Sequence, residues 1–374
     1  MVPNGWLHKQ IGEIASIQVG RDLVEDKYSE ISTTEYKYPV YSNTVENKGL
    51  YGFYNFPEYS GNAITIVGRG VGLGKAFARS PGESFGAIGR LLVLTPKNNS
   101  FDVIFFANYI NFALRIHNES GGIPQLPGAS LSKYFVMLPP LAEQQKIAQI
   151  LSTWDKAIAV TEQLLANSQQ QKKALMQQLL TSKKRLLDEN GVRFEGEWKL
   201  TELNSLLDYH QPTPYLVAST EYDDKYEIPV LTAGKTFILG YTNEKSGIYQ
   251  DSLPVIIFDD FTTDSKFVDF PFKVKSSAMK ILTAKKGASI KYVFEAMRML
   301  KFTVGGHQRH WISIFSNLVI PIPKSHEQQK IAKVLSTADQ EIEALQRKLD
   351  GLQQEKKALM QQLLTGKRRV KVAA

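Results

Sequence analysis

The chain has 374 residues, no cysteine, and a formal net charge of +8 with a pI near 9.2. The missing cysteine excludes a disulfide framework and any Cys-based zinc site. The opening Met1-Val2-Pro3-Asn4-Gly5-Trp6 carries no basic-then-apolar secretion signal, and the most apolar run, 101–116, holds Asp102, Asn108 and Asn111; neither secretion nor a membrane span is expected, which leaves the cytoplasm, and the basic surplus suits a polyanionic partner.

In chain order, 1–140 reads as a first α+β domain. It opens on Gly5-Trp6-Leu7 and Ile11-Gly12-Glu13-Ile14, then gives short strand-like runs at 38–41, 63–67 and 90–94, broken by Gly, Pro and Asn. A helix is predicted over 103–115, and the domain closes through Gly121-Gly122-Ile123-Pro124-Gln125 and Val136-Met137-Leu138-Pro139-Pro140. Residues 141–187 then read as one long helix. Apolar residues recur at steps of four and three on Ile147, Leu151, Trp154, Ile158, Leu165, Leu175 and Leu179, with Thr161, Ser168 and Lys172 in the remaining seats. A period near 3.5 without Pro is a coiled-coil pattern.

Residues 188–324 repeat the first plan loosely, with Trp198, runs at 228–231 and 254–258, a helix near 290–300, and Gly305-Gly306. Residues 325–374 carry the second helix on Ile331, Leu335, Ile342, Leu349, Leu359 and Leu363. The two helices are copies. Glu143-Gln144-Gln145-Lys146-Ile147-Ala148 returns shifted by 184 as Glu327-Gln328-Gln329-Lys330-Ile331-Ala332, and 24 of 39 positions match between 143–181 and 327–365. That is an internal duplication. Each helix would run for roughly 60 Å at 1.5 Å per residue. The termini of a domain usually lie close together, so the second helix has to run back antiparallel to the first. The expected fold is two similar α+β domains separated by a long antiparallel two-helix coiled coil, with pseudo-two-fold symmetry.

Motifs for chemistry are weak. Gly68-Arg69-Gly70-Val71-Gly72-Leu73-Gly74-Lys75 has glycines but fits neither the Walker loop nor GxGxxG, and Gly234-Lys235-Thr236 has Pro229 where the leading Gly belongs. Asp259, Asp260 and Asp264 lack the Glu-x-Lys pair of a metal nuclease, and His307 and His310 lack further ligands. No catalytic residue, metal or cofactor is therefore assigned.

Two domains of one plan, each followed by a Glu-Gln-Gln-Lys-Ile-Ala helix ending in Lys-Lys-Ala-Leu-Met-Gln-Gln-Leu-Leu, resemble the specificity subunit of type I restriction-modification enzymes. Ile228-Pro229-Val230-Leu231-Thr232-Ala233-Gly234-Lys235-Thr236 and Phe258-Asp259-Asp260-Phe261-Thr262-Thr263 are also similar to target-recognition domains of that family. The resemblance implies a non-catalytic subunit that reads double-stranded DNA in two half-sites, one per domain. It also implies that the helices space the half-sites and dock two methyltransferase subunits, which restriction subunits join; methyl donor and ATP belong to those partners. The rival reading is a coiled-coil scaffold holding two protein-binding domains. From loop position and side-chain chemistry, the DNA contacts are expected at Asn43, Arg69, Lys75, Arg90 and Gln125, and at Lys235, Thr262, Thr263, Lys280, His307, Gln308 and Arg309.

Overall fold

Short apolar runs become strands, and Gly, Pro and Asn end them, throughout a computed structural model that describes residues 2–118, 122–232, 236–300 and 310–371. The chain divides into two units, Met1–Glu162 with Arg347–Ala374, and Gln163–Gln346.

In the first unit a four-stranded antiparallel sheet runs in the order Ala15–Val19, Leu92–Pro96, Ala63–Ile66, Ala76–Arg79. The predicted strand at 90–94 starts only at Leu92, because Arg90 takes a left-handed φ of +67°. A second sheet orders Tyr28–Ser29, Leu50–Tyr54, Tyr38–Tyr41 and Gly86–Ala87, the last pair parallel. Leu7–Gln10 pairs with Phe135–Leu138. The helix Val103–Ala113 is started by Asp102, whose carboxylate accepts from the Ile104 and Phe105 amides. Its Phe105, Phe106 and Ile110 share a core with Ile64, Ile66, Leu92 and Leu94. Each such buried aromatic or aliphatic side chain contributes about 1.5–3 kcal/mol.

The second unit repeats the plan. Its four-stranded antiparallel sheet runs Leu207–His210, Met279–Ala284, Val255–Asp259, Ser265–Val268. A three-stranded sheet orders Ile238–Thr242, Ile228–Leu231 and Lys273–Val274, and Lys199–Glu202 pairs with Val319–Ile322. Ser289 caps the helix Ile290–Met297.

The long helices are Leu141–Leu179 and Ser325–Leu363, each of 39 residues. The expected seats face inward. Ile147, Leu151, Leu165 and Leu179 are buried, and Trp154, Ile158 and Leu175 are half-buried. In the second helix Ile331, Leu335, Leu349 and Leu363 are buried, and Ile342 and Leu359 half-buried. Within the first unit Ile147 and Leu151 share a core with Leu363 and Leu364. Within the second, Met176 and Leu179 share one with Ile331 and Leu335.

The repeated Glu-Gln pair has a structural job. Gln144 Oε1 accepts the Asp102 amide at 2.9 Å, and its Nε2 donates to the Pro139 carbonyl at 2.9 Å. Gln328 does the same with the Ser289 amide at 2.8 Å and the Pro323 carbonyl at 2.9 Å. Glu143 receives a two-pronged Arg369 at 2.6 Å on both oxygens, while Arg369 Nη1 also donates to the Asn4 carbonyl. Arg185 forks onto Glu327 at 2.6 and 2.7 Å and donates to the Gly196 carbonyl. Bidentate guanidinium–carboxylate pairs of this kind fix direction as well as distance.

Candidate nucleic-acid interface

The glycine-rich stretch of the first unit is a turn between antiparallel strands. It leaves Ala63–Ile66 and returns as Ala76–Arg79, with left-handed φ near +86°, +87° and +82° at Gly70, Gly72 and Gly74. A strand, not a helix, follows it, so the run is no phosphate-binding loop. Gly70 donates its amide to the Pro124 carbonyl and Leu126 donates to the Gly68 carbonyl, both at 2.9 Å, which places Arg69 directly across from Gln125. Gly68 allows this close approach: a Cβ there would meet the Arg90 carbonyl oxygen at 2.9 Å.

Arg69, Arg90 and Gln125 consequently line one cleft of about 160 Å³ with Val19, Leu92, Leu126 and Pro127. Both arginines are exposed and Gln125 is half-buried. Among the described residues no ion pair or side-chain hydrogen bond engages either guanidinium. Lys75 is exposed but lines a different cleft, with Val45, Leu73, Asn111 and Leu114. Asn43 is half-buried and its amide is used inside the fold, accepting from the Gly68 amide at 2.8 Å and donating to the Gly89 carbonyl.

A buried arginine with no motif around it in the sequence shapes the same loops. Arg79 is buried; its guanidinium donates to Thr65 Oγ1 at 2.8 Å and to the Lys48 carbonyl at 2.6 Å, and lies 3.3 Å from the Tyr41 ring centre. Burial, then the hydrogen bond to Glu83, pushes the Tyr41 phenol up to about 12 despite the nearby Arg79 charge. Tyr41 therefore stays neutral, and Arg79 props a turn in which Asn47 and Lys48 both hold left-handed φ. The strand Ala76–Arg79 is buried at both ends and half-buried between them, so no period-two pattern in the sequence announces the inward turn of Arg79.

In the second unit Lys235, His307, Gln308 and Arg309 lie outside the described residues. Thr262 is exposed, with its hydroxyl donating to Asp259 Oδ2 at 2.6 Å, and Thr263 is half-buried with a φ of +60°. Lys280 requires a correction. It is wholly buried, 3.2 Å from Gln211 Oε1 and 3.6 Å from Asp260 Oδ2, so it presents no surface to a nucleic acid. The cause is Asp260, itself buried and accepting the Trp311 amide at 2.8 Å; an interior carboxylate needs a counter-charge. The three aspartates considered for a metal are occupied by protein donors: Asp259 by Phe261 and Thr262, Asp260 by Trp311, Asp264 by Ser265 and Lys266. Among the described residues no group of three or more His, Asp or Glu side chains is placed to hold a metal ion, and no helix is long and apolar enough to cross a membrane.

The sequence model described as "Type I restriction modification DNA specificity domain" matches the chain twice, over 3–168 and 195–354. The specificity subunit of the EcoR124I/EcoR124II type I restriction enzyme of Escherichia coli is 52% identical over 158 residues, or 41% of this chain. That match spans only 38% of the E. coli protein's length, and a match to a putative type I specificity subunit of Mycoplasma pneumoniae, 32% identical, spans 47% of that protein. A second putative M. pneumoniae specificity subunit is 25% identical over 87% of both chains. Among solved structures, the S subunit of a type I restriction-modification system from M. genitalium superposes with a TM-score of 0.71 at 15% identity, covering 97% of this chain and 99% of that one. This last likeness is one of fold. With the family's domain matched on both units, the chain belongs to the type I restriction-modification DNA specificity domain family.

Proposed function

We propose that the chain is the target-reading subunit of a type I restriction-modification complex, that each unit reads one half of a split double-stranded DNA target, and that the long helices separate the two readers as an antiparallel coiled coil. The observation that carries this is the double family match, one on each of two units whose four-stranded antiparallel sheets share a strand order. In this reading Arg69, Arg90 and Gln125 face base edges in the major groove, where Arg suits guanine and Gln suits adenine. Lys75 contacts phosphate, and Thr262 and Thr263, with Lys235, His307, Gln308 and Arg309, serve the second half-site. Two methyltransferase subunits dock on the helices and supply the methyl donor site, restriction subunits complete the nuclease, and this chain performs no chemistry itself.

The test is selection from a pool of randomised duplexes by the full chain together with its methyltransferase. The enriched duplexes are expected to share two short fixed blocks separated by a constant unread gap. Affinity should fall steeply with salt, with a log–log slope of about −0.9 for each phosphate neutralised. Enrichment of a single block, or none, rejects the reading and favours the protein-binding scaffold.

A further inference from the structure

We propose that Asn43 does not read a base but positions Arg69 and Arg90, and that the first unit's half-site therefore owes its guanine preference to a frame held by one carboxamide. This rests on the DNA-reading function proposed above.

The geometry is specific to an amide. Asn43 Oδ1 accepts from the Gly68 N–H at 2.8 Å and Nδ2 donates to the Gly89 carbonyl. Turning the amide over would set donor against donor and acceptor against acceptor, so the two partners fix its orientation. Each partner immediately precedes an exposed arginine in the chain, Arg69 after Gly68 and Arg90 after Gly89. The Arg90 backbone is held in a left-handed conformation that L side chains rarely adopt, with its amide donating to the Gly20 carbonyl. The Gly68 carbonyl in turn accepts from the Leu126 amide, and with the Gly70 amide on the Pro124 carbonyl this sets Gln125 beside Arg69. One half-buried amide thus ties together the two loops that carry the exposed arginines at the cleft.

A guanidinium recognises guanine through two parallel hydrogen bonds to O6 and N7, and this fork needs alignment to about 0.5 Å. Loosening the frame should therefore cost discrimination while leaving the charge in place. Asn43→Ala, measured in the full complex on selected duplexes, is expected to lose about 5- to 150-fold in preference at guanines of the first block. Its salt slope and its reading of the second block should stay as in the parent. Because the role is indirect, Asn43→Ala should add little at those positions to Arg69→Ala or Arg90→Ala.

Asn43→Asp separates positioning from mere stability. At about pH 8 its carboxylate keeps the acceptor for the Gly68 amide but opposes the Gly89 carbonyl, so selectivity should drop with little change in size or packing. Intact binding of the second block serves as the control for folding of the variant complex. The proposal is overturned if Asn43→Ala keeps full first-block selectivity. It is equally overturned if Asn43→Ala erases a base preference that both arginine variants retain, which would make Asn43 a direct reader. If Arg69→Ala and Arg90→Ala both leave the first block unchanged, the cleft does not read DNA and the positioning role falls with it. Loss of both blocks in the parent complex would instead reject the function proposed above.

Discussion

Lys172 occupies a core seat of the first long helix, where a charge costs energy unless it is paired. It meets Glu295 at 3.2 Å and also Asp339, and Lys291 bridges the same two carboxylates at 2.9 and 2.8 Å. Shifted by 184, Lys356 pairs with Asp155. The lysine–aspartate pair therefore belongs to the duplicated frame, while Glu295 belongs to one unit only. Burial works against the Asp339 charge, but hydrogen bonds from Lys172 and Lys291, aided by their charges, outweigh it and hold the carboxyl below its ordinary 3.8. A depressed carboxyl contributes stability that is present above the unfolded value and lost as pH falls through the folded one. The wild-type urea midpoint should accordingly drop as pH is lowered below about 4. Asp339→Asn should start from a lower midpoint near neutrality and lose less on acidification. An acid loss of the same size in the variant would show that the network contributes nothing through Asp339. From sequence, Lys172 was legible only as a polar exception in an apolar register. Its partner at Glu295 was not, because the contact is tertiary. Lys280 was misread for the same reason, since nothing near it in the chain announces Asp260.

At the scale of elements the opposite holds, because the signals are local. A four-and-three spacing of apolar residues and the absence of Pro were enough to place two long helices and their buried seats, although the first ends at Leu179 and not at 187. The apolar runs named from sequence became strands, with the start at 90–94 delayed by the left-handed Arg90, but strands such as Ala15–Val19, Ala76–Arg79, Leu207–His210 and Met279–Ala284 were not legible as runs of that kind. The function of Glu143, Gln144 and their copies was not legible, although their repetition was, because their partners are residues such as Arg369, Asp102, Arg185 and Ser289. The pairing direction of the helices is open to direct measurement. Ile147 and Leu363 are buried in one core, and the natural chain has no cysteine to interfere. Ile147→Cys with Leu363→Cys should form an intramolecular disulfide under mild oxidation, seen as a mobility shift that reductant reverses. Ile147→Cys with Ile331→Cys should not. The reverse result would require a parallel pair and would remove the antiparallel coiled coil.

For the whole molecule, the frame has to hold domains whose loops differ. Beside the shared apolar cores, its polar holds fall on backbone groups. Gln144 grips the Asp102 amide and the Pro139 carbonyl, and Arg369 reaches the Asn4 carbonyl. Gln328 and Arg185 hold the Ser289 amide and the Pro323 and Gly196 carbonyls. Any sequence that folds to the same plan offers these groups, whatever its side chains. Replacing 1–140 with the corresponding segment of another family member should therefore give a folded complex whose first block changes and whose second block is retained, read by selection from randomised duplexes. Exchange of 188–324 is different, because Lys172 also relies on the Glu295 side chain. A donor with no carboxylate there leaves Lys172 with Asp339 alone and half of its buried pairing lost. Removing a partner from a buried ion pair costs about 3–5 kcal/mol, so such an exchange should lower the denaturation midpoint of the chimera. Restoring Glu at that position should recover it without altering the new base preference. If the first exchange changes both blocks, reading is shared between the units; if the second needs no carboxylate, the buried network is dispensable.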